Sequence, residues 1–580
     1  MKRVFTVAIV ALLVIANPSF TSATGVIDEQ YSLVGIGGGI ENANKMGVVY
    51  EENVDILRIP SFLFSFEQKV TPRSSDFTDY SSFNVLSTCT GLDDPACATA
   101  NFVKYYAHMP PCKTSIEVDC IESIYAIAPG SSARIDGIFK ESIPNAVARP
   151  YQARPEIGLP QGSVSGVWEI PNVKHGGGSS NFAAIVSQVG SLKRNGTSWI
   201  AQPAGSDIHN NGDFRAAIFP VNIVRDSRYK SIIADIAPRD NGTSGLITIG
   251  DKGEHRPEFC ALVGKGVCAQ RQSFPDEIKF GMVLRFSKVI SGWMHGRVDS
   301  PEIDYELTNY GTRVDIKGYS TRVPILAGFA TRSDFSDVNP KQIPKLIEGE
   351  SVIGATSGDY AIQSFNIWAK ALKDKAVANP TQWTLYNLSQ RDIATSSSCI
   401  KESKTLAGFV TTNSTTYTAT PPIFNSSTGT LDYKVASPHY LADGKEFLGK
   451  YHLYIDSKVA RCIYKFTDAP VSASVSITSS DGGQQSIATT VVNEKDGWII
   501  LSALGFTFSS PTLKVKLTQS SPVVAVAPEP SAKPTAIPDP APKVAVAQVA
   551  KKKVISCVKG KMIKKIIATS PKCPAGYKKK

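Results

Sequence analysis

The densest group of residues that could bind or transform a ligand begins at position 293. Four candidate ligand-binding side chains alternate along this stretch: Trp293, His295, Arg297 and Asp299. An indole ring beside a guanidinium and a carboxylate could stack on a sugar ring and hydrogen-bond its hydroxyl groups. Glu302 and Asp304 follow, and paired carboxylates could hydrolyse glycosides if the fold held them about 5 to 10 Å apart. The simpler interpretation is a strand with Trp293 in the core and its charged residues facing solvent.

Recognisable catalytic and cofactor motifs are absent from the sequence. It contains no H-E-x-x-H metal motif, no phosphate-binding P-loop, no dinucleotide-binding glycine pattern and no G-x-S-x-G nucleophile motif. The seven histidines are scattered, and none has a second histidine at ligand spacing. The sequence therefore predicts no catalytic residue, no metal site and no cofactor, although it leaves open a site assembled from distant residues.

Positive charge is concentrated at the end of the sequence. Residues 551–580 contain eleven lysines and no Asp, Glu or Arg, which equals the net charge of +11 of the whole chain, so the remainder is neutral. The predicted polyanion-binding residues are Lys551, Lys552, Lys553, Lys559, Lys561, Lys564, Lys565, Lys572, Lys578, Lys579 and Lys580. We expect anionic cell-wall polymers or glycans as partners. Nucleic acid is not expected, because few aromatic residues lie among the lysines to stack on bases. The alternative is a tail that only increases solubility.

The first residues have the layout of a secretory signal peptide. Lys2 and Arg3 precede an uncharged, mostly apolar run over residues 4–16, and small residues before position 24 favour cleavage near Ala23. This run is shorter than the roughly 20 residues that span a bilayer, and no later run reaches about 18 apolar residues. The sequence therefore predicts a secreted protein, extracellular or cell-wall associated, without a transmembrane span after signal cleavage.

The cysteines agree with export. The ten cysteines are Cys89, Cys97, Cys112, Cys120, Cys260, Cys268, Cys399, Cys462, Cys557 and Cys573, and the first three successive pairs are each eight residues apart. An even number of cysteines in an exported chain indicates disulfide bonds, and the absence of C-x-x-C argues against a metal site. Pairing in sequence order predicts five bonds, although spacing alone does not prove the connectivity.

Short β-branched and aromatic runs separated by turn residues predict a mainly β protein with antiparallel sheets. Residues 1–23 form the signal peptide and residues 24–398 a large β-rich domain, closed by a helix over residues 358–378 that Asn379 and Pro380 end. Residues 399–520 read as eight strands of a β-sandwich, including one over residues 459–466 that Cys399 would tie to the domain entrance.

The last two segments differ from the rest in composition. Residues 521–550 contain seven Pro and eight Ala, which predicts a disordered, extended linker. Residues 551–580 predict a small basic hairpin around Lys559-Gly560-Lys561, closed by a bond between Cys557 and Cys573. Thirty residues cannot build an ordinary core, so this unit would depend on its disulfide.

The tail pattern ISCVKGK…KKI…PKCPAGYKKK resembles a C-terminal element of many uncharacterised secreted actinobacterial proteins. The preceding runs LAGFVTTNST, KVARCIYKFTDAPVSASVSIT and EKDGWIILSALGFTFSSPTLKVKLTQ are similar to a domain that often accompanies it. Together they cover roughly the last 180 residues. The resemblance implies location and architecture, and it carries over no catalytic residue.

These observations favour a non-catalytic secreted or cell-surface protein, a wall-associated binding or structural component with a polyanion-binding tail. The alternative is a carbohydrate-active hydrolase that acts on extracellular glycans through carboxylates of the N-terminal region. A cleft with two facing carboxylates would favour the hydrolase, and filled β-layers would favour the binding or structural component.

Overall fold

The structure is a computed structural model. It describes residues 27–31, 45–52, 59–71, 80–143, 149–202, 214–227, 229, 233–238, 244–249, 259–336, 351–354, 358–388, 393, 396–468, 471–478, 484–485, 489–508, 512–519, 553–559, 562–568, 573 and 578–579. The predicted signal peptide and the Pro/Ala-rich linker lie outside these ranges. Among the described residues, no helix is long and apolar enough to cross a membrane.

The protein is mainly β, as the sequence predicts. The first strands are β1 (Lys45–Glu51), β2 (Phe62–Thr71), β3 (Tyr80–Cys89), β4 (Phe102–His108), β5 (Cys120–Ile127), β6 (Arg134–Asp136), β7 (Ile138–Ser142), β8 (Gly166–Glu169), β9 (Asn181–Asn195), β10 (Ser198–Ala201), β11 (Phe214–Arg225), β12 (Ile233–Pro238) and β13 (Ser244–Ile249). The next are β14 (Cys260–Gly264), β15 (Val267–Arg271), β16 (Lys279–Phe286), β17 (Gly292–Arg297), β18 (Asp299–Thr308), β19 (Gly311–Tyr319), β20 (Thr321–Arg322), β21 (Leu326–Thr331), β22 (Ser351–Gly354), β23 (Thr381–Gln382) and β24 (Thr384–Asn387).

The remaining strands follow Cys399. They are β25 (Leu406–Thr412), β26 (Thr416–Tyr417), β27 (Ile423–Asn425), β28 (Thr430–Ala436), β29 (Leu448–Asp456), β30 (Val471–Thr478), β31 (Gln484–Gln485), β32 (Thr489–Lys495), β33 (Trp498–Thr507), β34 (Thr512–Gln519), β35 (Lys553–Lys559), β36 (Met562–Ala568) and β37 (Lys578–Lys579). The described α-helices are α1 (Pro95–Ala98), α2 (Gly358–Ala371), α3 (Ser398–Lys401) and α4 (Ser457–Tyr464), and short 3-10 helices cover Asp28–Gln30, Pro155–Ile157 and Arg332–Phe335.

One large sheet runs through the body of the protein. Its main path is β3-β2-β4-β9-β11-β24-β17-β25-β29-β33-β32, and β7, β8, β10, β14 and β15 extend it to sixteen strands. The neighbours on this path pair antiparallel except at β17 and β25, which are parallel. The sheet therefore continues across the domain boundary predicted at residue 399. Residues 1–521 form one compact unit, and residues 522–580 form another.

Two apolar layers cover opposite faces of the large sheet, because successive side chains of a strand point to opposite sides. On one face, Met294 and Phe409 pack against Met282 and Ile316 of the five-stranded sheet β18-β19-β16-β5-β6. On the other face, residues such as Val410 pack against the sheet built on β28, β34 and β30. This second pair of layers is a β-sandwich, as predicted for residues 399–520, and both interiors are filled by side chains.

Two predicted elements were wrong in detail. The helix predicted over residues 358–378 ends at Ala371, because Lys373 and Asp374 adopt left-handed backbone conformations with φ of 60° and 51°. The strand predicted over residues 459–466 is helix α4 instead. The carboxylate of Asp456 accepts hydrogen bonds from the amides of Lys458 and Val459, at 2.8 and 3.1 Å, which starts the helix locally.

Four of the predicted disulfides are confirmed: Cys89–Cys97, Cys112–Cys120, Cys260–Cys268 and Cys399–Cys462. The last one joins helix α3 to helix α4, and it does not reach a central strand as expected. Cys573 is also disulfide-bonded. Its pairing with Cys557 stays a prediction, because the side chain of Cys557 lies outside the described part.

The tail unit contains the predicted hairpin. Strand β35 pairs antiparallel with β36, and Lys559 and Met562 are the last pair before the turn. A third short strand, β37, pairs with the other edge of β35. Residues 553–579 thus include a three-stranded antiparallel sheet in the order β36-β35-β37.

Candidate functional site

The candidate ligand-binding residues of β17 lie inside the body. Trp293, His295 and Arg297 share one face of the strand, and 0, 4 and 0% of their respective surfaces are exposed. Trp293 packs over Gly408 of the neighbouring strand, where a Cβ atom would come within 2.4 Å of the indole ring. The interpretation of Trp293 as a core residue agrees with this position. The expectation of solvent-facing charges does not, because Arg297 is buried as well.

Buried polar residues form a row across five strands of the large sheet. The register pairs His108 with Ser187, Ser187 with Arg215, Arg215 with Tyr386 and Tyr386 with His295. All five are at most 7% exposed. The imidazole of His295 stacks on the Tyr386 ring, with centroids 5.2 Å apart. Burial, and then the nearby guanidinium groups of Arg297 and Arg215, lower the pKa of His295 to about 3, so His295 is neutral at ordinary pH.

Arg297 lies beside this row, two residues after His295 on β17, and every nitrogen of its guanidinium group donates a hydrogen bond. Its Nε donates to the carboxylate of Glu52 at 2.8 Å, and Glu52 is itself buried. Its Nη atoms donate to three backbone carbonyl oxygens, those of Thr412 (3.0 Å), Ser414 and Thr415 (3.1 Å). Burial alone would lower the pKa of Arg297, but the Glu52 carboxylate raises it overall. A buried charge needs such partners, and Arg297 therefore connects β17 to Glu52, directly after β1, and to the end of β25 and the residues that follow it.

Tyr417 is the last member of this buried network and lies in the apolar layer between the large sheet and the sheet of β28, β34 and β30. Its ring lies under the guanidinium carbon of Arg297, 4.4 Å from the ring centroid, and its hydroxyl is 2.7 Å from Nδ1 of His295. Because Arg297 and His295 are buried and bonded within the body, they are not available to an external ligand in this conformation. The network explains why the polar residues of β17 are structural.

Asp299 lies apart from the other three candidates, in a different cluster on the opposite face of the large sheet. Its Oδ1 lies 3.0 Å from Nε2 of His452, and its Oδ2 accepts a hydrogen bond from Nζ of Lys450. Nδ1 of His452 is 2.7 Å from the hydroxyl oxygen of Ser502 on the next strand. Burial raises the pKa of Asp299, but the hydrogen bonds from His452 and Lys450 outweigh it and lower this pKa well below its usual range. Asp299 is therefore ionised.

The sequence does not reveal this second cluster, because its members come from separate parts of the chain. His452 lies in β29 and Ser502 in β33, and the register places them directly opposite each other. Asp299 begins β18 in the covering sheet. None of these three residues belongs to a recognisable motif. The group could be identified only from the pairing of β29 with β33 and from the packing of β18 over them.

The carboxylates that suggested glycoside hydrolysis lie on an open face. Glu302 is ion-paired with Lys279 at 2.5 Å and with Lys317 at 3.4 Å, and its side chain is half exposed. Asp304 lies two residues further along β18, and it pairs in register with Asp315. This arrangement is a solvent-facing ladder of charges on the five-stranded sheet, in which Glu302 is occupied by two lysines.

In the tail unit the register assigns the lysines to faces of the sheet. Lys564 and Lys579 are both paired with Cys557, on either side of it. Because residues alternate between faces along a strand, Lys553 and Lys559 of β35 occupy the same face as these two. Lys565 and Lys578 occupy the other face, and the remaining lysines of the tail lie outside the described residues.

The described residues contain no group of three or more His, Cys, Asp or Glu side chains placed to hold a metal ion. Asp94, in the first disulfide loop, starts helix α1 by accepting a hydrogen bond from the amide of Ala96 at 3.0 Å. Comparison with known proteins adds no assignment: no protein-family model matches the chain, and a search among curated proteins finds no match.

Proposed function

We propose that this chain is an exported protein of the cell surface, associated with the cell wall by its basic tail. The β body is the binding or structural component that the tail holds in place. The proposal combines the secretory signal read from the sequence, the disulfide bonds of the body and the basic sheet at the end of the chain. Anionic wall polymers or glycans are the proposed partners.

The placement of four lysines on one face of the tail sheet carries this proposal. Lys564 and Lys579 lie two strands apart, which corresponds to roughly 9 to 10 Å between their backbones. These positions lie within one screening length, which is about 10 Å at 0.1 M ionic strength, so a polyanion would meet them as one patch of positive charge. The rest of the chain has no net charge to oppose this attraction.

The filled interior of the body supports a structural or binding role. Both apolar layers are closed by large side chains, and Trp293, His295 and Arg297 are engaged inside the body. The proposed attachment to the wall therefore uses the tail and not the residues of β17.

The experiment measures retention of the full chain on purified cell walls across a salt series. One variant replaces Lys553, Lys559, Lys564 and Lys579 with Gln. The matched control replaces Lys551, Lys552, Lys572 and Lys580 with Gln, which removes the same charge from positions outside the described strands. We expect the first variant to elute at clearly lower salt than the control, and both to elute before the unchanged protein.

Three outcomes would contradict the proposal. Retention that does not depend on salt would exclude Coulombic attachment. Equal retention after deletion of residues 551–580 would exclude the tail as the anchor. Identical elution of the two matched variants would show that net charge alone matters and that the lysine face has no role.

A further inference from the structure

Asp299, His452 and Ser502 have the connectivity of a nucleophile, a base and a carboxylate that orients the base. The Ser502 hydroxyl is 2.7 Å from Nδ1 of His452, and Asp299 is 3.0 Å from Nε2 of the same ring. Because Asp299 is ionised, the imidazole proton is favoured on Nε2, where it is donated to the carboxylate. Nδ1 is then free to accept the hydroxyl proton of Ser502. The Ser300 amide, 3.2 Å from Nε2, could donate there only in the other tautomer.

The base of this group is buried, whereas the proposed nucleophile is partly exposed. The side chain of His452 is 3% exposed, and Asp299 and Ser502 are both partly exposed. Lys450, whose side chain is 45% exposed, lies on the same strand face two residues before His452 and donates to Asp299. Solvent therefore reaches the cluster at Ser502, while the imidazole is shielded.

We propose that Ser502 is the nucleophile of an acyl-transfer site that hydrolyses carboxylic esters with a short acyl group. Ile500 and Leu504 occupy the same face of β33 on either side of Ser502, and both are partly buried aliphatic side chains suited to a small acyl chain. Lys450 pairs in register with Leu504, and its ammonium group donates to Asp299, so it helps to hold the carboxylate that orients the base. This inference goes beyond the proposed surface role and departs from the expectation of a non-catalytic protein.

The chemistry balances with water as the only co-reactant. The Ser502 oxygen adds to the ester carbonyl carbon as its proton passes to Nδ1 of His452. His452 returns this proton to the departing alkoxide as the ester C–O bond breaks, which leaves an alcohol and acyl-Ser502. Water then attacks the acyl group, gives a proton to His452, and the carboxylic acid leaves as that proton returns to the serine oxygen. Asp299 acts as a positioning residue throughout.

The test uses the full chain and two probes, a fluorophosphonate reagent and p-nitrophenyl acetate. We expect the fluorophosphonate to modify Ser502, as mapped by peptide mass spectrometry. Ser502→Ala should abolish that modification, and Asp299→Asn should slow it at least tenfold, because the carboxylate no longer holds the tautomer. Ser474→Ala is the matched control, since Ser474 is an exposed strand serine in the other sheet of the sandwich, and it should leave labelling unchanged.

A pH profile separates a catalytic role from a structural one. Labelling and ester hydrolysis should depend on pH in the same way, because both require the same Ser502 oxygen, and Asp299→Asn should change this shared profile. Circular dichroism of each variant verifies that it is folded. The proposal is overturned if the folded protein is not modified at Ser502, if Ser474 reacts at the same rate, or if the rate in folded Asp299→Asn equals that of the unchanged protein.

Discussion

Replacing Arg297 with Met should destabilise the body strongly, because it leaves a buried carboxylate without its partner. Arg297 is 0% exposed, and its removal ends one ion pair with Glu52 and three hydrogen bonds to backbone carbonyl oxygens. Breaking a buried ion pair from one side costs about 3 to 5 kcal/mol, since the remaining charge cannot return to water in the folded state. We expect Arg297→Met to lower the free energy of unfolding by an amount in this range. Glu52→Gln should lower it less, because the glutamine amide oxygen can still accept a hydrogen bond from the guanidinium.

A double-mutant cycle isolates the interaction between the two side chains. Arg297→Met combined with Glu52→Gln removes both charges, so its cost should be at least about 1 kcal/mol below the sum of the single losses. The matched control is Arg313→Met, which removes a partly exposed arginine bonded to Glu122 at 2.8 Å on the five-stranded sheet. A pair near solvent contributes about 0 to 1 kcal/mol, so this variant should change stability little.

The assay is equilibrium unfolding of the oxidised protein in urea, followed by tryptophan fluorescence and by circular dichroism. The two signals test whether the body unfolds in one transition, which the free-energy comparison requires. The reasoning would be refuted if Arg297→Met cost less than about 1 kcal/mol, if it matched Arg313→Met, or if the cycle were additive.

Three further measurements test other parts of the structure. Replacing both Cys399 and Cys462 with Ser should cost about 4 kcal/mol in the chain-entropy description, measured by urea unfolding, and a loss near zero would refute that description for this loop. The hydrogen bond that His439 donates to the Asp374 carboxylate raises the pKa of His439, although partial burial opposes it. This stabilisation is complete below about pH 6.5 and is lost as pH rises through the folded-state pKa. The difference in stability between the unchanged protein and His439→Gln, at most about 1 kcal/mol for these one-third-exposed groups, should therefore shrink at alkaline pH, and a pH-independent difference would contradict it. Asp456→Ala should cost about 1 kcal/mol through loss of the cap of helix α4, whereas Asp456→Asn should cost less, and equal losses would argue against capping.

The parts of the fold that the sequence reveals are those fixed by local chemistry. Short β-branched runs identify the strands, and the repeated spacing of eight identifies three disulfides, because both signals lie within a few residues. The end of helix α2 was missed because the local sequence does not mark the left-handed residues Lys373 and Asp374, and the contact of Asp374 with His439 joins residues that are far apart in the sequence. Helix α4 was missed because its apolar residues also fit a strand, and only the Asp456 cap distinguishes the two.

The candidate site was predicted less well because burial depends on partners from elsewhere in the chain. The sequence predicts a strand with Trp293 in the core, but it places the charged residues of that strand in solvent, because it does not say what covers the face where His295 and Arg297 are buried. Glu52 directly follows β1, and the carbonyl acceptors of Arg297 come from the end of β25 and the residues after it. The same limit hides the contact of Asp299 with His452.

The parallel pairing of β17 with β25 has a consequence for the order of synthesis. Residues 292–297 leave the ribosome well before residues 406–412, so the nascent chain holds a large sheet whose edge at β17 is still unpaired. Trp293 and the Arg297 guanidinium would lie at that edge without the ring of Tyr417 or the carbonyl oxygens that later bind them. A fragment ending at residue 398 would keep this edge permanently open and would tend to associate with other copies through it. Point substitutions are therefore better suited than truncation at residue 398 for studying the two parts of the body one at a time.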